Sequence, residues 1–354
     1  MKIYLCLSFL LINLAIAWET DNFSTRAQLL KQSREKVLRD LHALNDHTNQ
    51  RIKDALKQFN RRRRNRCKPD MKRKIPLVTK LIHHAIGAGF SSTYLEAWVE
   101  KNIKTLPIIN PIYKRGWTPR RAFNFANTII GSDKIDHMIN MGFKLFQKYK
   151  KRNLEKALQL SDLTEEIGGP YGLTVSGIKS YGDLAANFAG IYFYTNLTNG
   201  PNSHLGCDRK SNKYYLNEPV NWADYIHHSW DQGINCSLFT SLRSPLTKSK
   251  LNAYISENKE VNSSMYQKFT KNLDSLFENI YTSEDYKDLG FQNSCPLVDT
   301  QCEELIKINC AQYIVSPRCH SKYPSLIDSL KCYDPAPGER FNTSHSFSDY
   351  RFEE

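Results

Sequence analysis

The sequence predicts a mainly α-helical fold: a packed multi-helix domain whose C-terminal region is stapled by disulfides. Three observations carry this. Apolar residues recur at three- and four-residue steps in several separate stretches, which is the period of a helix with one buried face. Helix-start signals, Ser132-Asp133 and Ser180-x-x-Asp183, precede two of those stretches. Five of the nine cysteines crowd between Cys295 and Cys332, a density that suits disulfides in an exported chain.

The first 17 residues, MKIYLCLSFLLINLAIA, carry one Lys, a short apolar core and an Ala15-Ile16-Ala17 ending. They read as a secretory signal peptide cleaved before Trp18, because the apolar run falls short of the ~18–20 residues of a spanning helix. No later run approaches that length, so no transmembrane span is expected. The protein is read as exported, either periplasmic or secreted. Without Cys6 of the leader, Cys67, Cys207, Cys236, Cys295, Cys302, Cys310, Cys319 and Cys332 remain. Their spacings lack the paired C-x2-C knuckles of zinc sites, so disulfides are expected: Cys207 with Cys236, two bridges inside the C-terminal group, and Cys67 with the cysteine left over.

From Thr25 to about Asn60 the residues Leu30, Val37, Leu41, Leu44, Ile52, Ala55 and Phe59 keep the helical period. One long amphipathic helix within segment 18–68 accounts for them, packed on its own domain. It runs into Arg61, Arg62, Arg63, Arg64 and Arg66. Positive charge there complements the negative helix end, and the same run could hold a polyanion. The main domain, 69–292, opens with helical patterns over 75–104, broken near Gly87-Ala88-Gly89. Adjacent His83 and His84 point about 100° apart on a helix and are read as packing or surface residues rather than as one metal site. Pro107, Pro111 and Pro119 mark a rigid extended connection.

The stretch Gly131–Gly190 carries the chemistry. Asp133 can be an N-cap, or can hold the imidazole of His137 one turn on. Glu165 and Glu166 precede a glycine-rich loop. In the next helix Asp183, Asn187 and Gly190 follow one another at steps of four and three beside the apolar stripe Leu184, Phe188 and Ile191. Buried Asp and Asn need partners, and His137 is the candidate. Gly190 lowers helix stability by roughly 1 kcal/mol relative to Ala and suggests that another backbone packs closely there.

This set, Asp133, Lys134 and His137, then Glu165 or Glu166, then Ser180, Asp183, Ala186, Asn187 and Gly190, resembles the motifs of VanZ-like proteins and the related YfiM-like envelope lipoproteins. Those helices are membrane-embedded, whereas this chain is polar and rich in cysteine. WETDNFSTR with DLAAN is similar to uncharacterised exported proteins of Gram-negative bacteria. The resemblance implies a bacterial envelope setting and a shared polar site.

Two functions follow from the residues. His137 with Glu166, Asp183 and Asn187 could form an acid/base site that activates water against an envelope ester, phosphodiester or glycosidic bond. Alternatively the cluster fixes helix packing in a non-catalytic binding or structural protein, the reading slightly favoured. No G-x-S-x-G, H-E-x-x-H or P-loop is present, and neither a metal nor a cofactor is called for. The formal net charge is +13, of which Lys2 belongs to the leader. The excess points to an anionic envelope partner, such as a lipid headgroup, lipopolysaccharide or peptidoglycan. No nucleic-acid-binding signature occurs.

Beyond the site, WADYIHHSWDQGINCSLF reads as a helix. Trp222, Trp230, Asp224 and Asp231 there are read as core packing in preference to a ligand wall. Helical patterns continue over Tyr254–Tyr281. The cysteine-rich region is 293–336, and 337–354 reads as a disordered tail. Asn22, Asn196, Asn235, Asn262 and Asn342 stand in N-x-S/T sequons, which matter only in a eukaryotic secretory pathway.

Overall fold

Ser33 opens the first helix, its hydroxyl accepting from the Lys36 amide at 3.3 Å, and α1 runs Arg34–Asn60. The computed structural model describes residues 29–61, 67, 75–87, 93–103, 121–125, 128–163, 178–198, 203–208, 210–235, 237–239, 299–316, 319–320, 323, 325 and 332–342. The helix thus begins later than Thr25. Val37, Leu41, Leu44, Ile52, Ala55 and Phe59 are buried, as their period requires. Asn45, Thr48 and Asn49 lie buried among them and join α1 to a distant segment. Asn49 exchanges hydrogen bonds with the Val220 backbone at 3.0 and 2.8 Å. The Trp222 amide and indole N–H donate to Asn45 and Thr48, each at 2.9 Å.

Helices α2 (Ile75–Ile86) and α3 (Tyr94–Asn102) follow, α2 ending at Gly87 and α3 capped by Thr93. Strands β1 (Ala122–Phe125) and β2 (Thr128–Gly131) pair antiparallel with Ala122 opposite Gly131. The hairpin leads into α4 (Asp133–Asp136), a π turn (His137–Met141) and α5 (Gly142–Lys151), then α6 (Leu154–Leu163). After β3 (Ile178–Lys179) comes α7 (Tyr181–Thr198), which is buried on all sides from Tyr181 to Leu197. Strands β4 (Leu205–Asp208) and β5 (Lys213–Leu216) form a second hairpin, and β6 (Leu238–Phe239) pairs with β3. Helices α8 (Asp299–Ile306) and α9 (Ala311–Ile314) complete the described elements. The fold is mainly α-helical, as its periods predict. One apolar cluster runs from Leu41 to Phe341, so the N-terminal helix, the central helices and the cysteine-rich region share a core. Among the described residues no helix is long and apolar enough to cross a membrane.

The centre of that core is the crossing of α5 and α7. A Cβ on Gly142 would lie 2.7 Å from the Gly190 Cα, and one on Gly190 would lie 2.6 Å from the Gly142 Cα and press on the Met138 carbonyl. The two backbones therefore touch, the close approach that Gly190 suggested.

Several expectations are corrected. Residues 222–239 are not one helix: they form 3₁₀ turns at Trp222–Asp224 and His228–Trp230 before β6. Side chains of Asn221, His227 and Asp231 accept from the amides of Ala223, Ser229 and Gly233, and so compete with the helical ladder. Cys207 bonds to Cys67 and not to Cys236, because β4 brings it beside the chain that follows α1. Two bridges do lie inside the C-terminal group, Cys302–Cys319 and Cys310–Cys332. Nor is the tail disordered from Pro337. Phe341 packs edge-on to Phe188 with ring centroids 5.7 Å apart, and Asn342 donates its side-chain amide to the Ala223 carbonyl at 3.0 Å. Cys236, Cys295, Pro107, Pro111, Pro119, the leader, the stretch Tyr254–Tyr281 and residues 343–354 lie outside the described residues.

Two predictions follow from this packing. Gly190→Ala gains ~1 kcal/mol of helix propensity but overpacks a backbone contact, so a net loss of about 2 kcal/mol or more is expected in urea unfolding of the oxidised protein. An unchanged midpoint would show that α5 and α7 separate without penalty. The second concerns pH. Burial pushes His83 down to about 4 and His227 down to about 3. The unfolded chain, with histidines near 6.5, therefore binds more protons than the native state below that value. Thermal stability should be level above pH 6.5 with respect to these groups and fall as pH drops from there towards 3. A His227→Phe variant should show a shallower acid slope than the parent protein.

Candidate functional site

The β2 strand delivers the chain into α4 with Ser132, Asp133 and Lys134 all buried. Neither Ser132 nor Asp133 caps the helix in the ordinary way. The Ser132 hydroxyl donates to Glu100 at 2.7 Å. The Asp133 carboxylate accepts from the Lys134 amide at 3.0 Å and from its ammonium at 2.8 Å. Lys134 is fully buried and also pairs with the Asp183 carboxylate. Gly182 makes room for its stem, since a Cβ there would lie 3.1 Å from Lys134 Cε and 2.8 Å from the Trp230 carbonyl.

His137 sits at the start of the π turn. Its Nε2 lies 3.3 Å from the second oxygen of Asp183, and its Nδ1 lies 3.0 Å from Asn187 Oδ1. The Asn187 amide group faces Ser161 Oγ at 3.4 Å, which orients its oxygen towards the imidazole. Both ring nitrogens thus meet acceptor oxygens, and the imidazolium form donates to both. Ser180 caps α7 through the Asp183 amide at 3.2 Å, as the S-x-x-D spacing predicts, and accepts from Gln232 at 2.9 Å. Asp183 does not reach back to close a capping box. Its carboxylate is taken by Lys134 and His137.

The structure therefore brings together Asp133, Lys134, His137, Ser180, Asp183 and Asn187, with Gly190 at the contact that sets their distance. Asp183, on the facing helix, and not Asp133 holds the imidazole, because α4 turns the Asp133 side chain towards Lys134. Glu165 and Glu166 lie outside the described residues. So do Arg62, Arg63, Arg64 and Arg66, while Arg61 is exposed at the end of α1. Ser161 and Gln232 were not legible in the sequence: each is a single polar residue in an unremarkable context, joined to the network across 26 and 52 residues. Trp222 and Trp230 are fully buried, and Asp231 accepts from the Ile129 and Gly233 amides, so these three are core, whereas Asp224 is only half-buried and pairs with Arg340. His83 stacks on Phe143 at 4.2 Å and bonds to Asn140, while His84 is exposed, in keeping with packing and surface roles.

The network is nearly sealed among the described residues. Lys134 is 0% exposed, Asp183 and Asp133 are 4% and 5%, and His137 is 12%. Chemically, such a set can hold charges in fixed register or position an imidazole. Among the described residues no group of three His, Cys, Asp or Glu could hold a metal ion. No protein-family model, curated protein or solved structure matches the chain.

Removing the Asp183 charge would take a carboxylate from the buried Lys134 ammonium and from His137 Nε2 at once. Asp183→Asn is expected to cost about 3–5 kcal/mol in urea unfolding, the range for breaking a buried ion pair from one side. A cost below about 1 kcal/mol would place the charges in contact with solvent.

Proposed function

We propose that this protein is exported to a bacterial cell envelope and acts there by binding, with the His137 network specifying the packing of the helices that present its surfaces. The observation that carries the reading is the commitment of both His137 nitrogens inside the network, to Asp183 and to Asn187. A general base needs a nitrogen within reach of a substrate proton. Both are occupied here.

Three disulfides among the described residues support an oxidising compartment. The sequons support one without N-glycosylation. Asn196, Asn235 and Asn342 are buried, and both amide hydrogens of Asn235 serve backbone carbonyls, of Ser229 at 2.8 Å and Ile314 at 2.9 Å. A glycan there would displace a bond that the fold uses. An anionic envelope partner is supported by α5, along which Lys144, Lys148, Lys151 and, just past its end, Arg152 follow at three- and four-residue steps and pair with no carboxylate among the described residues. Partial burial, then Lys144 and Arg152, lower the Lys148 ammonium. Like charges crowded along one helix favour an external anion. The resemblance to VanZ-like and YfiM-like proteins agrees with the same setting.

A hydrolase using His137, Asp183 and Glu166 is the competing reading, favoured by the closeness of His137 to Asp183. The two are separated by the His137→Gln variant. With p-nitrophenyl acetate, bis-p-nitrophenyl phosphate and peptidoglycan as substrates, the unaltered protein should show no turnover above background, and H137Q should lower stability by about 1.5–3 kcal/mol. Turnover by the unaltered protein that disappears in a folded H137Q would make it an enzyme.

A further inference from the structure

A second polar feature lies away from the His137 network. Asn196 follows Asn187 by nine residues on α7, about 13 Å along the axis, and at that end of the helix a concave pocket of about 780 Å³ opens. One wall is the face of α1 that carries His42, Asp46 and Asn49; the others are the loop at Glu218 and the chain at Gly338 and Arg340. Its size falls within the ~300–1,000 Å³ of small-molecule sites.

The walls are held by the fold before any ligand arrives. Asn49 grips Val220 in both directions. Asn196 accepts from the Gly338 amide at 2.8 Å and donates to the Glu339 carbonyl at 2.7 Å. His204 bridges the Glu218 carbonyl at 2.8 Å and the Tyr225 hydroxyl at 2.7 Å. Side-chain amides and an imidazole therefore spend their hydrogen bonds fixing three separate chain segments around one hollow, an arrangement that lowers the ordering cost of binding.

The groups left facing the hollow are polar and mixed. Asp46 and Glu218 supply acceptor oxygens with no cationic partner among the described residues. Arg340 pairs with Asp224 through Nε at 3.2 Å and keeps further N–H donors. Burial lowers His42, against the opposing pull of Asp46, and lowers His204 against its bond to the Glu218 carbonyl. An apolar ligand would desolvate these groups without repaying them. Vicinal hydroxyls, which both donate and accept, match them. The carboxylates also set a sign: the pocket is locally negative in a chain of net charge +13, so an anionic ligand is repelled here even where the rest of the surface attracts it.

We infer that this pocket binds a saccharide that is neutral or amine-bearing and discriminates against acidic sugars. The inference rests on the binding role proposed above and gives that role a ligand class. Isothermal titration of the full oxidised chain with glucosamine, N-acetylglucosamine and glucuronate tests it. Saturable binding of the first two is expected, with glucuronate weaker by about tenfold or more, the scale of one unfavourable charge contact. Asp46→Asn combined with Glu218→Gln, both at exposed positions where substitution leaves folding intact, should bring glucuronate to within about threefold of N-acetylglucosamine. Arg340→Ala should weaken all three. Absence of saturable binding by any of the sugars, equal binding of glucuronate by the unaltered chain, or a double variant with unchanged discrimination would each overturn the pocket assignment. None of these results alters the reading of His137, which stands or falls on turnover.

Discussion

The contact of two backbones at Gly142 and Gly190 is the constraint on which the rest of the structure depends. With no side chains between them, α5 and α7 approach more closely than any other pair of residues would allow. Asn187 and Asp183 stand one and two turns before Gly190, so the same approach carries them to Lys134 and His137. The π turn at His137–Met141 lies at this crossing, with the Met138 carbonyl against Gly190. π turns relax the helical ladder by one residue and often mark places where a helix must accommodate a neighbour.

Burying an ammonium completely is costly, and the two carboxylates buried against Lys134, Asp133 and Asp183, offset that cost. Such a network adds little net stability relative to an apolar core of the same shape. Its effect is on uniqueness. A slip of α7 by one residue would leave Lys134 without Asp183 and His137 without Asn187, so incorrect packings are penalised far more than the correct one is rewarded. Acid/base chemistry and helix registration call for the same residue types. What separates them here is that the imidazole is engaged on both sides.

Asparagine performs the complementary task at the periphery. Asn45, Asn49, Asn196, Asn235 and Asn342 each tie a buried amide to backbone far away in sequence, so loops that lack helical hydrogen bonds are anchored by side chains. Charge is distributed unevenly on the resulting body. Lysines that pair with no carboxylate among the described residues follow one another on α5, while the pocket beside α1 carries the carboxylates of Asp46 and Glu218. A protein with both features can lie against an anionic surface and still admit an uncharged sugar.

By itself the sequence determined the helical character, the cap at Ser180, the buried stripe of α1, the close approach at Gly190 and the partnership of His137 with Asp183 and Asn187. All of these depend on near neighbours: on period, on capping geometry, or on the need of a buried polar group for a partner. It could not show that Asp133 serves Lys134, that Ser161 and Gln232 complete the network, or that 222–235 abandons the helix for turns. Nor could it place Cys207 against Cys67, 140 residues away. Those choices were made by the tertiary structure alone, because each is decided by which backbone segments touch, and no local pattern encodes a contact between segments that meet only when the core closes.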